Sequence, residues 1–282
     1  MLVDCRNVIY RTVLACRAHN EHARVRGFNQ PKKLAFPLLL NMLSGWINTF
    51  EPVTVQAFWD APRASVWRRD LYIDYKSRDS LPDAEAIAKD IAACEDTASA
   101  MFEHMNIRQF RKDRMEADDL IYAACRIQCI HDLVIISSDG DMQQLLYVVP
   151  KARIYNPGTR ITTTVDNVDI QNPVWYKALI GDISDKIPGY EGVGPKTAIK
   201  ALKDPKKLSM LLEQKGKDIL IRNLKLVDLS MSPYNLQNQL YVNQVLAMSV
   251  SYNKEMVRSL CSTHRVLMHE LVDALVSFKG LI

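Results

Sequence analysis

Three short apolar runs of the chain are each followed at once by an aspartate. Such runs are typical of strands that are buried on both faces in a parallel sheet. The runs lie at residues 2–3, 53–59 and 133–138, and the acids are Asp4, Asp60 and Asp139. Because parallel strands present their carboxyl ends at one edge of a sheet, where open α/β proteins bind ligands, the pattern predicts that these acids meet there.

Segments with helical spacing separate the apolar runs, around residues 38–47 and from 118 to 130. This alternation predicts an α/β fold with a mostly parallel central sheet and flanking helices, which we place over residues 1–168. Beyond residue 168 the strand signals end, and the chain continues as Lys-rich helical segments punctuated by Gly and Pro. We therefore expect a second, helical domain over residues 169–282.

The composition is compatible with a nucleic-acid partner but does not require one, since the formal net charge is only +4. The six cysteines form no Cys-x-x-Cys pair, and no His cluster at zinc spacing lies near them. We expect no signal sequence, because the N-terminal MLVDCRN lacks a basic flank followed by a long apolar stretch, and no membrane span, because the apolar runs are shorter than about 20 residues. The sequence thus predicts a reduced, unexported cytoplasmic protein, a monomer without membrane association.

Further acids gather near the predicted edge of the sheet. Each acid alone has an ordinary explanation, as a helix N-terminal charge, a turn residue or the start of a loop. These acids are Glu116, Asp118 and Asp119 at the start of a predicted helix, Asp141 just beyond Asp139, and Asp182 and Asp185 before a Gly/Pro turn.

Crowded together, these carboxylates would repel one another and have raised pKa values unless a cation neutralised them. Oxygen ligands without Cys or His favour hard ions, so the sequence predicts Mg²⁺ or Mn²⁺. Two ions roughly 3.5–4 Å apart would suit phosphodiester hydrolysis, because they stabilise both the attacking and the leaving oxygen.

Residues 187–203 form the segment IPGYEGVGPKTAIKALK, which is typical of a tight Gly turn followed by a helix. Backbone N–H groups at such a turn can hold phosphate. The alternative is an ordinary helix cap with solvated lysines. The nearness of Asp182 and Asp185 favours the phosphate-binding interpretation.

In this order the segments resemble the 5′ nuclease family, which includes flap endonucleases, phage 5′ exonucleases and the 5′-nuclease domain of bacterial DNA polymerase I. The resemblance runs through most of the chain. It is carried by VD at 3–4, FWD at 58–60, YK at 75–76, MEADD at 115–119, SDGD at 138–141 and GDISDKIPGYEGVGPKTA at 181–198. It implies a PIN-like catalytic core, an arch region near 77–110 and a helix-hairpin-helix-like DNA-binding element at 187–202.

The resemblance also implies roles for particular residues. Lys76 and Arg11 would approach the scissile phosphate, with surface cations as the alternative. Two metal ions would be bound, directly or through water, by Asp4, Asp60, Glu116, Asp118, Asp119, Asp139, Asp141, Asp182 and Asp185. DNA would be contacted by Tyr75 and Tyr10, as stacking platforms, with simple packing as the alternative for Tyr10, and by Gly192, Gly194, Lys196, Thr197 and Lys200. Arg68 is a further candidate for DNA contact because it lies in a stretch, residues 60–82, that is predicted to be an exposed, cationic connection. A potassium ion at the hairpin is implied by the resemblance alone.

Two features depart from the family pattern. Cys5 stands where the family usually has glycine after the first aspartate, which would place a side chain near the site. The arch region is rich in acids, which disfavours a basic arch that grips DNA.

The activity implied is metal-dependent hydrolysis of DNA at or near 5′ ends, by exonuclease or flap endonuclease action, on ends, flaps or duplex/single-strand junctions in replication or repair. The compartment would be the host cytoplasm if a phage encodes the chain. The alternatives are a non-catalytic DNA-structure-binding protein and an RNase H-like nuclease that acts on RNA–DNA hybrids. A pure binder would not gather carboxylates against an anionic ligand, which argues against the first alternative.

Overall fold

The computed structural model describes residues 1–26, 34–77, 83–168 and 172–264 of the chain. Its centre is a six-stranded sheet made of β1 (Leu2–Asp4), β2 (Gln56–Phe58), β3 (Arg108–Phe110), β4 (Val134–Ile136), β5 (Arg153–Asn156) and β6 (Ile161–Thr163). The strand order is β3-β2-β1-β4-β5-β6. All neighbours pair in parallel except β5 and β6, which are antiparallel.

Helices flank this sheet and then make up most of the C-terminal part. Those of the first part are α1 (Cys5–Val25), α2 (Ala35–Phe50), α3 (Arg68–Leu71), α4 (Ala84–Phe102), α5 (Ala117–Ile127) and α6 (Leu145–Val148). Those that follow are α7 (Pro173–Ile180), α8 (Pro195–Lys203), α9 (Pro205–Lys215), α10 (Asp218–Val227), α11 (Asn235–Ala247) and α12 (Lys254–Thr263). A two-stranded hairpin, β7 (Gly181–Asp182) with β8 (Ile187–Pro188), connects α7 to the turn before α8.

Successive strand residues point to opposite faces of the sheet, and the two faces bury different cores. Val3 belongs to a core formed with α1, α2, α4 and α12. Leu2 belongs to the core on the other face, which is formed with α5, α6 and α11. Because both faces are covered, a strand such as β4, with sequence VII, is apolar throughout.

The predicted fold class is confirmed. The three apolar runs form β1, β2 and β4, and the two segments with helical spacing form α2 and α5. The sequence did not reveal β3, β5 or β6. Those strands have three or four residues each and carry polar side chains, as in RQF and RIYN, so they lack an apolar run.

The described part of the predicted arch is packed into the protein. Helix α4 lies against α1, and it buries Ile91, Cys94, Ala98 and Met101 in the core. Residues 78–82 of the predicted arch lie outside the described residues. The apolar face of residues 84–102 thus packs into the core on the α1 side of the sheet, while Ile91 also lines the cavity described below.

The C-terminal helices contact both the hairpin region and the α/β part. Helices α7, α8 and α10 share a small core that includes Ala178, Leu179 and Ala198. Helix α11 instead packs along α5. The predicted domain boundary between residues 168 and 169 borders residues 169–171, which lie outside the described part. No helix in the described ranges is long and apolar enough to cross a membrane.

Candidate active site

A cavity of about 470 Å³ opens at the carboxyl edge of the parallel strands. Asp4, which ends β1, and Asp60 and Asp139, which follow β2 and β4, all line it. Glu116 and Asp118, from the start of α5, line it as well. The acids come together at this edge, as predicted, because the neighbouring parallel strands β3, β2, β1 and β4 all end there.

Local hydrogen bonds fix the first of these acids. Asp4 ends β1 and caps α1, where its Oδ1 accepts from the backbone N–H of Asn7 at 3.2 Å. Its Oδ2 accepts from Ser137 Oγ at 2.7 Å. The same Ser137 oxygen accepts from the backbone N–H of Asp139 at 3.1 Å. Ser137, which is fully buried, therefore holds two acids of the cavity in fixed relation.

A second group of acids lies at one side of the cavity, which one of its members, Asp185, lines. Asp141, Asp182 and Asp185 each offer a carboxylate oxygen within 4.8 Å of the other two, which is a spacing suited to a shared cation. Lys177 Nζ contacts both Asp141 and Asp182, the latter at 2.5 Å. A lysine ammonium thus offsets part of the negative charge of this group.

The carboxyl groups remain short of positive charge. Burial and the neighbouring Asp60 raise the pKa of Asp4 to about 7. Burial and Asp139 raise the pKa of Asp141 to about 7. Burial, despite the nearby Lys76 ammonium, raises the pKa of Asp185 to about 6. Burial also raises the pKa of Asp118 well above its ordinary value.

The raised pKa values have the same physical causes, which are burial of the carboxyl groups and repulsion between them. A divalent cation would offset the repulsion and desolvation that cause them, so the residues present fit a divalent metal site. The donors are all oxygen atoms, which suits a hard cation.

Glu116 is held differently from the other acids. Burial alone would raise its pKa, but Lys76 and Arg68 more than offset this and hold the pKa of Glu116 at about 2. Lys76 Nζ lies 2.6 Å from Glu116 Oε1 and 3.8 Å from Asp185 Oδ2. Lys76, predicted from the resemblance, therefore places its ammonium at the cavity between two acids.

Asp119 lies outside the cavity, contrary to its predicted place among the metal ligands. Its carboxylate is fully buried and accepts from both Nη atoms of Arg68 at 2.9 Å and from Trp67 Nε1 at 3.1 Å. It also accepts from the backbone N–H of Glu116 at 3.2 Å, closing a capping box at the start of α5. These donors occupy the carboxylate, so Asp119 faces the core while Asp118 faces the cavity.

Arg68 is likewise not a surface residue that can contact DNA, although the sequence predicts that it lies in an exposed, cationic stretch. Its side chain is only 2% exposed, and its guanidinium bonds Glu116 and Asp119. Its Nε donates to the backbone carbonyl of Leu226 at 2.9 Å. Arg68 is a buried cation that positions α5 and joins it to α10.

The two predicted stacking tyrosines differ in exposure. Tyr75 is only 3% exposed and donates its hydroxyl to Glu116 Oε2 at 3.0 Å. Tyr75 also lines the cavity, but so little of the residue is exposed that its burial disfavours stacking of a base on its ring. Tyr10 is 39% exposed and lines the cavity, so its ring is accessible to a base.

Arg11, predicted beside the scissile phosphate, lies near the rim. Its exposed side chain does not line the cavity, and its Nε donates to Ser138 Oγ. Ser138 is held in turn by Asn7, whose Oδ1 accepts from its backbone N–H at 3.0 Å and from its hydroxyl at 2.6 Å. Arg11 therefore reaches the rim of the site through Ser138.

Cys5 does not crowd the site, although the sequence suggested that its side chain would. It is 2% exposed and belongs to the core on the α1 side of the sheet. Because Cys5 follows the last residue of β1 and begins α1, its side chain points away from the cavity that Asp4 lines.

The hairpin beside the acids depends on two glycines. A Cβ on Gly181 would lie 2.3 Å from the carbonyl oxygen of Ile187, and one on Gly189 would lie 2.2 Å from the backbone of Ile180. The chain therefore folds back tightly before α8. Gly192 lies in the turn with φ of 72°, and Gly194 caps α8 without any side-chain hydrogen bond.

Helix α8 presents its first turn to solvent. Lys196, Thr197 and Lys200 are all exposed, while Ala198 packs against α7. The backbone N–H groups at this helix start and the two lysines offer an anion a positive surface. This surface lies within residues 187–202, where the DNA-binding element is predicted.

Sequence reasoning missed several residues that line or support the cavity. Arg6, Asn7, Arg63 and Lys186 line it, and Lys177 supports the group of three acids. A local signal existed for Arg6, since it lies two residues after Asp4 in the first turn of α1.

Comparison with known proteins identifies the family. A family model described as "5′-3′ exonuclease, N-terminal resolvase-like domain" matches residues 1–173, which is more than half of the chain. The chain belongs to this 5′ nuclease family. The match covers the sheet and every acid that lines the cavity except Asp185.

Curated relatives of this 5′ nuclease carry related names. The 5′-3′ exonuclease of Bacillus subtilis is 27% identical over 224 residues, which cover 76% of this chain and 72% of the relative. Flap endonuclease Xni of Shewanella woodyi is 32% identical over 185 residues, 59% of this chain and 67% of the relative. DNA polymerase I of Rhizobium leguminosarum is 30% identical over 59% of this chain but only 17% of its own length.

Solved structures share the fold of this 5′ nuclease over nearly its whole length. A T5 protein co-crystallised with metal ions has a TM-score of 0.66 at 20% identity, with 98% of both chains covered. The bacteriophage T5 flap endonuclease, in a pseudo-enzyme-product complex with DNA and metal ions, has a TM-score of 0.65 at 20% identity, again over 98% of both chains. At this identity the likeness concerns the fold.

Proposed function

We propose that this chain is a divalent-metal-dependent nuclease that hydrolyses DNA phosphodiesters at or near 5′ ends, as an exonuclease, a flap endonuclease or both, in DNA replication or repair. The observation that carries the proposal is the set of buried carboxylates with raised pKa values around one cavity. The relatives named 5′-3′ exonuclease and flap endonuclease support it.

The carboxylates fall into two groups that would hold two ions of Mg²⁺ or Mn²⁺. Asp141, Asp182 and Asp185 form one group. The other consists of the remaining acids that line the cavity, namely Asp4, Asp60, Glu116, Asp118 and Asp139. When bound, such a pair of ions supplies activation of water and stabilisation of the leaving oxygen. The proposal also includes a potassium ion at the helix-hairpin-helix-like element, residues 187–202, on the ground of the family resemblance alone.

The chain's own side chains would bind and orient the DNA. The ammonium of Lys76 lies at the cavity, where it can counter the negative charge of a phosphate. The exposed ring of Tyr10 offers a stacking surface at the same cavity. Lys196 and Lys200 on α8 would hold phosphates of the duplex beside it. In this proposal residues 1–168 form the catalytic domain, and residues 169–282 contribute Asp182 and Asp185 to it and bind the duplex; the protein acts as a monomer.

The test is a time course on 5′-labelled blunt duplex, single strand, 5′ flap and RNA–DNA hybrid, with Mg²⁺ and with chelator. We expect Mg²⁺-dependent cleavage of DNA ends or flaps by the wild type. Asp139→Asn is expected to lose cleavage while it still binds DNA, because it removes a charge from the cavity and leaves α8 unchanged. Cleavage of the hybrid alone would favour the RNase H-like alternative.

The matched control is Asp132→Asn. Asp132 is exposed and lies at the opposite end of β4, away from the cavity, so this variant should cut like the wild type. Full activity of Asp139→Asn, or equal loss in both variants, would contradict the proposed site.

A further inference from the structure

An arginine that the sequence did not single out lies inside the rim of the cavity. Arg6 is in the first turn of α1 and lines the cavity with a side chain that is 35% exposed. Its Nη1 donates to Glu95 Oε1 at 2.8 Å, and its Nε lies 3.7 Å from Asp60 Oδ2. The distance to Asp60 is too long for a hydrogen bond, so among the described residues only Glu95 accepts a hydrogen bond of normal length from the guanidinium.

The charges around Arg6 show why a cation is useful at this place. Helix α4, all of whose residues are described, contains Lys89 as its one basic residue, against Glu85, Asp90, Glu95 and Asp96. Its Ile91 lines the cavity, so an acidic helix borders the site. An anionic strand that entered beside α4 would be repelled unless a cation compensated.

The other basic residues of the cavity come from different segments. Among the described residues, Arg63 and Lys76 lie before α4, and Lys186 lies in the hairpin region after α7. Arg6 is therefore the cation that the α1 and α4 side contributes to the described lining.

We propose that Arg6 is a phosphate-binding residue of the nuclease site, which contacts the strand being cut on the side bordered by α4 and which Glu95 positions. The inference rests on the proposed nuclease function. A guanidinium presents a planar set of donors that matches a phosphate. One hydrogen bond to Glu95 fixes its plane and leaves donors for a ligand in the cavity.

The competing explanation is that Arg6 only ties α1 to α4. Arg17 performs that structural task further along α1. Its Nη1 donates to Asp90 Oδ2 at 2.6 Å, and its side chain is also 35% exposed. Arg17 does not line the cavity. The two arginines thus differ in their access to a ligand and form a matched pair of variants.

The experiment compares Arg6→Ala, Arg6→Lys and Arg17→Ala on a 5′-flap DNA in Mg²⁺ over a range of salt concentrations. We expect Arg6→Ala to raise KM about tenfold and to change kcat less, because a charge-assisted phosphate contact is lost. The slope of log(kcat/KM) against log[salt] should fall by about 0.7, the value for one phosphate contact of a single strand. Arg6→Lys should have the salt slope of the wild type, and its KM should lie between those of the wild type and Arg6→Ala.

A chemical change in the substrate identifies the contact. Neutral methylphosphonates are placed singly at each phosphate around the cut. At one phosphate position, the methylphosphonate should lower kcat/KM of the wild type by the same factor as the Arg6→Ala substitution does on unmodified DNA. At that position the methylphosphonate should not lower kcat/KM of Arg6→Ala any further. Arg17→Ala should show neither effect, and thermal unfolding of all variants verifies that they are folded. Equal KM and salt slope in Arg6→Ala and Arg17→Ala would overturn the inference.

Failure of the proposed function would be seen separately. If the wild type cuts none of the DNA substrates in Mg²⁺ or Mn²⁺, the nuclease proposal falls. Arg6 is then judged by fluorescence anisotropy of the same flap DNA. A weaker and less salt-dependent binding in Arg6→Ala than in Arg17→Ala would still support phosphate binding, and equal binding would overturn it.

Discussion

Arg68→Met tests the buried ion pairs that the structure shows in place of a DNA contact. The change removes a guanidinium that bonds Glu116 and Asp119 and the carbonyl of Leu226. Glu116 keeps Lys76 and Tyr75 as partners. Asp119 keeps only neutral donors, namely Trp67 Nε1 and a backbone N–H. The loss of the guanidinium therefore affects mainly Asp119, whose fully buried carboxylate is left without a cationic hydrogen-bond donor.

Breaking a buried ion pair by removing one partner costs about 3–5 kcal/mol of unfolding free energy. Two neutral donors remain on Asp119, so we expect about 3 kcal/mol, which lowers Tm by roughly 5–10 °C in a chain of this size. Urea unfolding followed by circular dichroism measures it. Arg69→Met, a partly buried neighbour on α3, is the matched control and should change stability by only about 0.5 kcal/mol.

A second variant shows whether charge is the cause. Adding Asp119→Asn to Arg68→Met removes the uncompensated carboxylate, so the double variant should recover about 1 kcal/mol or more relative to Arg68→Met. A loss in Arg68→Met no larger than that in Arg69→Met would refute the reasoning. The reasoning would also be refuted if the salt slope of duplex binding fell by about 0.9 in folded Arg68→Met, because that fall would show that Arg68 contacts a phosphate of the duplex.

The remaining predictions concern DNA and metal binding. Replacing Lys196 and Lys200 by alanine should weaken duplex binding and lower its salt slope, while single-turnover cleavage persists; an unchanged slope, measured by anisotropy, would exclude the phosphate contact. Because the pKa values of Asp4 and Asp141 are raised to about 7, the metal-free fold should lose stability as pH rises from about 4 to about 7. For the same reason Mg²⁺ affinity at pH 5.5 should be roughly 30-fold weaker per carboxylate than at pH 8, and an equal Mg²⁺-induced shift in Tm at both pH values would contradict this.

Part of the site was predictable because it depends on topology alone. Asp4, Asp60 and Asp139 follow apolar runs, and parallel strands bring such positions to one edge whatever the rest of the chain does. The pattern therefore predicted the shared cavity that these acids line.

Asp118 and Asp119 show where the sequence stops being informative. Neighbouring residues on a helix point about 100° apart, so one faces the cavity and the other the core. Which one does so is decided by Arg68, about 50 positions earlier in the chain, whose guanidinium holds Asp119 inside. No local pattern contains that pairing. Lys177 is a similar case, since its ammonium reaches Asp141 only after the sheet and α7 are in place.

The structural and catalytic explanations of the acids do not exclude each other. Asp4 caps α1, and Asp139 accepts from the backbone N–H of Asp141 at the start of a 3₁₀ helix, yet both line the cavity. A strand that runs directly into a helix leaves free N–H groups at the sheet edge. An ionised carboxylate there has about four lone-pair sites, so it can satisfy a backbone N–H and still offer a lone pair to a ligand. Asparagine caps about as well as aspartate but carries no charge. Asp139→Asn therefore separates the two roles, since it keeps the fold and removes only the charge that a divalent ion requires.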